Sequence, residues 1–357
     1  MIPVTKPFKT PLDELNIHLN DIWDKEIYTN NGPKVQLLES RLKDFLNVKN
    51  ISFVSNGTIA IQLVIKALEL KGEIITTPFT YIATSSSIAW EGCKPIFVDI
   101  DKETLNINPE LIEDKITSKT SAIIATHVFG NPCDVIAIDR IAKKHNLKVI
   151  YDAAHAFGVE LNGKSIFEYG DISTCSTHAT KIFHTIEGGL VFSNSIELIK
   201  KINFLKNFGH SGPFDYELIG INGKNSEVHA AVGIVNLSYF EEITKKRKVI
   251  TQNYTDRLSD KDHLRILKSP NFSYFPIIFK DEGVLVSVLK RLEENKIFTR
   301  RYFKPSLDSL PFFENDSKCF NSNSVVNKIL CLPNYDSLEE FNLDKISQII
   351  NHQLDNS

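Results

Sequence analysis

The sequence predicts an α/β fold in which a large domain with a mixed, mostly parallel sheet precedes a smaller α+β domain. In the earlier part of the chain, short apolar runs alternate with segments of helical periodicity, a pattern typical of parallel sheets covered by helices. Strand signals become sparser after a charged segment that starts near residue 240. We therefore expect a large domain over residues 1–240, including an N-terminal arm, and a smaller one over residues 241–357.

Short apolar runs predict the strands of the large domain. Several are β-branched and apolar on both faces, as expected where helices cover both sides of a sheet. The runs are Ile51–Val54, Glu73–Thr76, Pro95–Val98, Ala122–His127, Lys148–Tyr151, Ile172–Cys175 and Leu190–Ser193. Between them, Ile59–Leu70 repeats apolar residues at the spacing of an amphipathic helix, and Asp139–His145 and Glu197–Phe204 are similar.

The smaller domain is predicted from a less regular pattern. Glu241–Arg257 is highly charged and predicts a long connecting helix with a solvated face. Ser273–Phe279 and Phe298–Tyr302 are strand candidates, whereas Gly283–Asn295 and Leu338–Leu354 have helical periodicity.

Composition excludes several classes of protein. The chain has 357 residues, with 41 Lys and Arg against 44 Asp and Glu, so it lacks the basic excess typical of nucleic-acid binders. No apolar run approaches the about 20 residues that span a bilayer, and the N-terminus does not resemble a signal peptide. Its 5 cysteines are scattered without a CxxC pair, which predicts free thiols in the cytoplasm and no zinc site.

The first candidate site follows a predicted strand. Asn56, Gly57 and Thr58 come after the run Ile51–Val54 and open a helix. The N–H groups of a first helical turn, at the positive end of the helix dipole, suit a phosphate group. The same residues could serve only as a turn and a helix cap. Neither a P-loop nor a GxGxxG fingerprint is present.

The second candidate site lies at the end of another strand. Asp152 ends the run Val149-Ile-Tyr-Asp, and His155 follows three residues later. Ligands of open α/β sheets bind at the carboxyl ends of strands. Asp152 is therefore either a structural cap or the partner of a cation or a protonated heterocyclic nitrogen.

A lysine dominates the third segment. Lys181 follows the small, hydroxyl-rich run Ser173-Thr-Cys-Ser-Thr-His-Ala-Thr and precedes the paired glycines Gly188 and Gly189. Most lysines are solvated, but these neighbours predict one that is partly buried. A lysine in such a pocket can be neutral enough to form a covalent bond with a carbonyl carbon. A fourth segment, from Asn207 through Gly220-Ile-Asn-Gly-Lys-Asn-Ser-Glu, could be only a polar loop leading into a packed helix.

Together these segments resemble the DegT-type sugar aminotransferases, which use pyridoxal phosphate and share the aspartate-aminotransferase fold, known as fold type I. The resemblance covers nearly the whole chain. The motifs occur in the family's order: NGT, TPFTYIAT, HVFGNPCD, YDAAHAFG, STHATK, EGG and GINGKNSE. Seven motifs in order carry far more weight than any one of them.

The resemblance implies roles for individual residues. Lys181 matches the lysine that is covalently bound to the cofactor, and Asp152 matches the acid that pairs with the pyridinium nitrogen. His155 falls near the cofactor's phenolic oxygen, and Tyr81 matches the aromatic residue stacked on its ring. The positions that cradle the phosphate are Gly57, Thr58 and Ser176.

Four further polar residues are expected at the site, Asn222 near the cofactor and His178, His210 and Lys224 near the substrate. Asn222 matches an asparagine donated by the other subunit, which implies a homodimer with a shared active site. Lys224 stands where the family usually has an arginine, so a bidentate phosphate contact is not expected there. His178 and His210 are candidates for contacts to sugar or phosphate, against the alternative of packing roles. His127 is expected to be structural.

The implied function is amino transfer from glutamate to a nucleotide-linked keto-6-deoxyhexose, with pyridoxamine phosphate as the other cofactor form. Asp152 would strengthen the cofactor as an electron sink, and the released Lys181 would move a proton. The chain looks closest to enzymes that aminate dTDP-4-keto-6-deoxyglucose at C4, with surface-polysaccharide or O-antigen synthesis as the implied destination. Amination of the 3-keto isomer is the alternative. A sugar dehydratase is a less favoured alternative, because dehydratase relatives carry histidine in place of this lysine. A scaffold protein without catalysis is also less favoured, because it would have no need of Lys181.

Overall fold

The computed structural model describes residues 1–258, 263–313 and 318–356. The helices in these ranges are α1 Leu12–Lys25, α2 Pro33–Leu46, α3 Gly57–Ala67, α4 Ala83–Trp90, α5 Val135–His145, α6 Ile196–Leu205, α7 Glu227–Ser238, α8 Phe240–Leu258, α9 Glu282–Glu294, α10 Phe320–Val325 and α11 Glu340–Asp355. The strands are β1 Ile51–Val54, β2 Glu73–Thr76, β3 Lys94–Phe97, β4 Thr120–Thr126, β5 Lys148–Asp152, β6 Glu160–Leu161, β7 Lys164–Ser165, β8 Ile172–Ser176, β9 Gly189–Phe192, β10 Leu264–Ile266, β11 Phe275–Phe279 and β12 Ile329–Leu332.

A seven-stranded sheet organises the first region, in the order β1-β9-β8-β5-β4-β2-β3. Neighbours from β8 to β3 pair in parallel, whereas β9 runs antiparallel to both β1 and β8. The mixed, mostly parallel sheet predicted from the sequence is thereby confirmed. Because β1, β8, β5, β4 and β2 run in one direction, their carboxyl ends lie along the same edge, where open α/β sheets bind ligands.

Helices cover both faces of this sheet and explain its apolar strands. On one face, Leu38 and Leu42 of α2 and Ile234 of α7 belong to a buried cluster with strand residues such as Phe53 and Phe192. On the other face, α3 and α6 bury their apolar sides against β1, β4, β5, β8 and β9. Strands that are buried from both sides carry mostly apolar or small side chains, so their sequences are near-continuous runs without the polar alternation of half-exposed strands.

An unusual cap starts α2. Gly32 precedes the helix and has no side chain to offer. Instead, the carboxylate of Glu227, the first residue of α7, accepts hydrogen bonds from the N–H groups of Lys34 and Val35 at 2.7 and 2.9 Å. A Cβ atom at position 32 would lie 2.7 Å from the carboxyl carbon of Glu227. The close approach of the two helices therefore requires glycine at this position.

A second sheet forms after residue 240. Strands β10, β11 and β12 pair antiparallel, and α8, α9 and α11 pack on them around a separate buried cluster. The expected strand over Phe298–Tyr302 is wrong. Only Arg300 pairs there, through an isolated bridge to Cys331, because the chain turns away at Tyr302 and Phe303. The domain boundary at residue 240 stays a prediction, although α8 begins at that point.

The cysteines play no part as cross-links. All five are free and buried in the folded chain. In the described ranges, no helix combines the length and the apolar character that crossing a membrane requires.

Candidate active site

A cavity of about 660 Å³ lies at the carboxyl edge of the large sheet. It is bordered by residues that follow β1, β2, β5 and β8 and by residues from the region after β10. The volume falls in the range that small-molecule and cofactor sites occupy. Most of the residues predicted to bind ligand lie in its wall.

Asp152, the last residue of β5, is 6% exposed in the floor of this cavity. One carboxylate oxygen accepts a hydrogen bond from the Thr84 hydroxyl at 2.7 Å, and the other accepts from the Ala154 N–H at 3.1 Å. The Thr84 hydroxyl lies 3.1 Å from that of Thr80, which in turn accepts from Thr126 at 3.0 Å. Such a chain of hydroxyls, polarised toward the carboxylate, fixes an oriented acceptor for a protonated nitrogen.

Lys181 is half-buried in the cavity wall, as its small and apolar neighbours predict. Its Nζ donates a hydrogen bond to the Tyr274 hydroxyl at 3.4 Å. Burial lowers the pKa of Lys181, and the nearby Tyr302 and Asp152 offset part of that shift. A lower pKa increases the fraction of neutral amine, which is the form that acts as nucleophile or base.

The start of α3 lies in the wall of the same cavity as Lys181. Gly57 is the first residue of the helix, and a Cβ atom there would lie 3.0 Å from the Cβ of Ser176, the last residue of β8. On the neighbouring strand, a Cβ at Gly189 would lie 2.3 Å from the Asn56 carbonyl oxygen. These glycines allow the helix N-terminus to approach the strand ends. Thr58 adds an exposed hydroxyl to the same cavity wall.

His155 contributes a neutral ring to the cavity. It is 6% exposed, and burial lowers the pKa of its ring well below the ordinary value, with the Lys181 charge adding to the effect. Its Nδ1 accepts a hydrogen bond from the Phe129 N–H at 3.3 Å, which assigns the proton to Nε2. The ring stacks on Phe303 with centroids 5.7 Å apart and planes 1° apart. His155 can therefore donate one hydrogen bond to a ligand from a fixed position.

Two more predicted residues line the cavity nearer to solvent. Tyr81 is 55% exposed and lines the cavity, so its ring is accessible to a bound group. His178 has its Nδ1 2.8 Å from the Thr180 hydroxyl and its Nε2 3.5 Å from the Glu187 carboxylate. Both side chains are placed to contact a ligand in the cavity.

The family comparison agrees with this geometry. The model of the DegT/DnrJ/EryC1/StrS aminotransferase family matches residues 12–351. The chain belongs to this family. The resemblance drawn from seven sequence motifs is thus confirmed.

Named relatives in the DegT family match over almost their full length. A dTDP-4-amino-4,6-dideoxy-D-glucose transaminase from Shigella dysenteriae is 43% identical, with 97% of each chain covered. A transaminase of the same name from Escherichia coli is 39% identical, with 98% of each chain covered. The solved structure of DesI in the presence of its TDP-sugar product superposes with a TM-score of 0.94 at 27% identity, covering 99% of this chain and 93% of that one. The aspartate-aminotransferase-type fold is confirmed.

Three of the predicted residues of this DegT-family chain do not line the cavity. Asn222, His210 and Lys224 lie on the loop between α6 and α7. The His210 ring packs against Tyr216 with centroids 4.3 Å apart, and the Lys224 Nζ lies 4.6 Å from the centroid of the Phe208 ring. Asn222 is exposed to solvent. Within its own chain, this loop supplies none of these side chains to the site.

The structure also adds residues to the site that the sequence did not indicate. Tyr274, Arg300, Tyr302 and Phe303 reach the cavity from the second region, and Thr5 reaches it from the N-terminal segment. They are remote in sequence from the strand-end motifs, so periodicity could not place them. The run of basic and aromatic residues at 300–303 was the one feature of the sequence that could have indicated a part of this set.

Proposed function

We propose that this member of the DegT family is a pyridoxal-phosphate-dependent aminotransferase. The observation that carries the proposal is the pair formed by half-buried Lys181 and buried Asp152 in one cavity, with the α3 N-terminus beside them. This combination supplies an amine, an acceptor for a ring nitrogen and an anion site. A phosphorylated pyridine aldehyde requires these same three groups.

The residues present fit the cofactor. Gly57, Thr58 and Ser176 would hold the phosphate, since a Cβ atom at position 57 would fill the cradle beside Ser176. Asp152 would keep the ring nitrogen protonated, and Tyr81 would cover one ring face. His155 would donate to the phenolic oxygen from Nε2. When bound, pyridoxal phosphate supplies an electron sink that makes a proton on the substrate's adjacent carbon acidic.

The chain's own residues would then move the proton. Lys181, with its pKa lowered by burial, can take a proton from the amino donor's Cα and return one during the opposite half of the reaction. The hydroxyl chain that ends at Thr84 keeps Asp152 oriented throughout. Phe303 and Tyr302 line the cavity on the side of the second sheet.

For the substrates we propose glutamate as donor and dTDP-4-dehydro-6-deoxy-D-glucose as acceptor, giving dTDP-4-amino-4,6-dideoxy-D-glucose for surface-polysaccharide or O-antigen synthesis. The support is that two full-length relatives, at 43% and 39% identity, are named for transamination at carbon 4 of this sugar. The 3-keto isomer is the less favoured acceptor.

We further propose a cytoplasmic homodimer in which each cavity receives Asn222 from the partner. Asn222 does not line the cavity of its own chain. The loop that carries it exposes large apolar side chains that a partner surface would bury, namely Phe208, Phe214, Tyr216, Ile219 and Ile221. Five free thiols accord with a reducing compartment.

The cofactor proposal is tested by colour and covalent attachment. The purified wild type should absorb visible light, and borohydride reduction should attach the cofactor to the peptide that contains Lys181. A Lys181→Ala variant should be unlabelled there, whereas Lys248→Ala, an exposed change on α8, should behave as the wild type does. If Lys181→Ala aminated keto sugars at the normal rate, the proposed role of this lysine would be wrong.

The substrate proposal is tested by regiochemistry. The protein is incubated with glutamate and, separately, with the 4-keto and 3-keto isomers of the dTDP-linked 6-deoxyhexose. NMR of the product then locates the new amine. We expect faster turnover of the 4-keto isomer with nitrogen on C4. A preference for the 3-keto isomer would replace the proposed reaction by its alternative.

A further inference from the structure

Tyr274 is the phenol that meets Lys181 in the cavity. It precedes β11, which belongs to the second sheet, and its hydroxyl lies 3.4 Å from the Lys181 Nζ. The side chain is 9% exposed. A group from one region of the fold therefore contacts the amine held by the other.

A short loop fixes Tyr274 relative to the large sheet. The amide of Asn271 donates to the carbonyl oxygens of His155 and Phe157, both at 2.9 Å. Ser269 donates its hydroxyl to the Phe129 carbonyl at 2.8 Å and accepts the N–H of Tyr274 at 3.3 Å. These contacts are buried, so each would leave an unpaired polar group if the loop moved.

Aromatic neighbours fix the direction of the Tyr274 ring. Its centroid lies 4.9 Å from that of His155 at 62°, 5.4 Å from that of Phe129 at 57°, and 5.7 Å from that of Tyr302 at 87°. Ring contacts with these three neighbours oppose rotation of the side chain away from Lys181. The hydroxyl therefore occupies one defined position in the cavity wall.

Burial and nearby charge determine the protonation state of the Tyr274 phenol. Burial raises the pKa of Tyr274, which keeps the phenol protonated, although the Arg247 charge opposes part of the shift. Arg247 also donates to the Ser273 carbonyl at 3.2 Å and so anchors the residue before Tyr274. The phenol oxygen thus acts as a neutral hydrogen-bond acceptor for Lys181.

We propose that Tyr274 is a positioning residue that holds the free amine of Lys181 between the two halves of the reaction. Its oxygen accepts an N–H of Lys181 at 3.4 Å, which holds the nitrogen at one place in the wall of the cavity. The amine then takes the proton of the donor's Cα, becomes ammonium and later returns a proton, while Tyr274 neither gains nor loses one. This inference rests on the proposed function and adds a residue to it.

Other ionisable side chains also face Lys181 and influence its pKa. The ionisable side chains around the amine are Asp152 at the end of β5, Cys175 on β8, Tyr81 before α4, Tyr302 beyond β11, and His155. All of them stay in place in a Tyr274→Phe variant, which removes a single oxygen atom. The matched control is Tyr254→Phe, because Tyr254 is a buried tyrosine of the same region whose hydroxyl donates to the Pro333 carbonyl, away from the cavity.

Two readouts test the proposal. The pKa of Lys181 is measured in the cofactor-free protein by competitive acetylation over a range of pH, with the Lys181 peptide quantified by mass spectrometry. In the cofactor-loaded protein, kcat and KM are measured with glutamate and keto sugar. Tyr274→Phe should lower the pKa of Lys181 by about half a unit to one unit, because the ammonium loses more than the amine when the acceptor is removed. It should also lower kcat about tenfold or more, with KM for the sugar within about twofold.

The outcomes separate the two proposals. A Tyr274→Phe protein with unchanged melting temperature, unchanged Lys181 pKa and wild-type kcat overturns the inference, and so does a shifted pKa with unchanged kcat. Equal effects of Tyr254→Phe would also overturn it, by showing a general response to losing a buried hydroxyl. If the wild type aminates no keto sugar, but Tyr274→Phe still shifts the pKa of Lys181 measured by acetylation, the proposed function is overturned. The contact between Tyr274 and Lys181 is then still supported.

Discussion

Thr84 shows how much of the candidate site depends on hydroxyls rather than charges. Its side chain donates to Asp152 at 2.7 Å and extends a line of threonines through the buried floor of the cavity. A hydrogen bond to a charged group contributes about 1.5–3 kcal/mol. The orientation of Asp152 therefore depends on a residue that carries no charge of its own.

We expect Thr84→Val to weaken cofactor binding about tenfold, because the isosteric valine leaves one carboxylate oxygen without its donor. The measurement is a fluorescence titration of the cofactor-free protein with pyridoxal phosphate. Thr244→Val on α8 is the control, since Thr244 donates only to the Phe240 carbonyl of its own helix. Equal affinities for the wild type and Thr84→Val would contradict the role assigned to the threonine chain.

At the residue level, sequence and structure agree where a ligand group follows a strand directly. Asp152 could be placed because parallel strands bring their carboxyl ends to one edge, whereas Ser176 was expected there from the family resemblance. Tyr274 could not, because its position depends on how the second sheet docks, which no local pattern encodes. Thr84 lies within a motif that the sequence already singled out, yet only the side-chain contacts show which threonine meets Asp152.

Among the helices, α2 depends on a side chain from elsewhere in the chain. Glu227 caps its first N–H groups from the start of α7, across 193 residues of sequence. We expect Glu227→Ala to lower the free energy of unfolding by about 2 kcal/mol, because two buried N–H groups lose their acceptors. Glu227→Gln, which keeps one acceptor oxygen, should lose less. Urea unfolding measures both values.

The control for this prediction is Glu197→Ala in the first turn of α6. That carboxylate accepts from the Ser195 hydroxyl at the surface and should change stability little. If Glu227→Ala were as stable as the Glu197→Ala protein, the cross-helix cap would contribute nothing measurable to the fold.

One helix and one strand of the fold differ from what the local sequence patterns predict. The helix α2 was not predicted, although Val35, Leu38, Leu42 and Leu46 are buried along one face at helical spacing. The strand expected at Phe298–Tyr302 was wrong because an apolar and aromatic run also suits a segment that crosses a cavity wall. Local composition does not distinguish a strand from such a segment.

At the scale of the whole molecule, the proposed homodimer with a shared site makes a specific prediction. Chains with Lys181→Ala and chains with Asn222→Ala should each be weakly active alone. After subunit exchange at equal amounts, about one quarter of wild-type activity should return, because half of the dimers are hybrids and each hybrid regains one intact site. The measurement is amino-transfer activity before and after exchange.

A second pair of variants provides the control. Lys181 and Asp152 line the cavity of a single chain, so mixing Lys181→Ala with Asp152→Asn chains should restore nothing. Absence of recovery in the Asn222 mixture, despite chain exchange demonstrated by mass, would count against a partner-donated asparagine. Recovery in both mixtures would show that the regained activity does not depend on an asparagine from the partner.

Acid stability of the whole fold should depend on His127. Burial lowers its pKa to about 3, and its Nδ1 accepts the Cys133 N–H at 3.0 Å. The unfolded chain, with a histidine pKa of about 6.5, binds a proton that the folded chain excludes, so the free energy of unfolding falls as pH drops from about 6.5 to about 3. At pH 5 the loss from this residue should be about 2 kcal/mol relative to neutral pH.

His127→Gln, which keeps an acceptor but does not titrate, should flatten that dependence in chemical denaturation at neutral and mildly acidic pH. A residual slope is expected, since burial also lowers the pKa values of His155 and His184. His352→Gln, an exposed change near the end of α11, should leave the slope unaltered. Identical slopes for His127→Gln and the wild type would refute the assignment.

The overall architecture was the most predictable level. Alternating strands and helices imply a covered parallel sheet, and ordered motifs pointed to a family whose fold the structure reproduces. The antiparallel strand β9 and the docking of β10, β11 and β12 depend on contacts far apart in sequence, and local periodicity carries no information on them. The residues that the second region adds to the cavity wall could be predicted least, because their position depends on how the second sheet packs against the first.

The burial of every native thiol makes the chain convenient for site-directed spectroscopy. Since Cys93, Cys133, Cys175, Cys319 and Cys331 are all shielded in the folded protein, a maleimide dye should react slowly with the wild type. One cysteine introduced at Phe341, which is 74% exposed on α11, would then carry almost all the label. A fluorophore at that position could report motions of α11 in real time without removal of any natural cysteine.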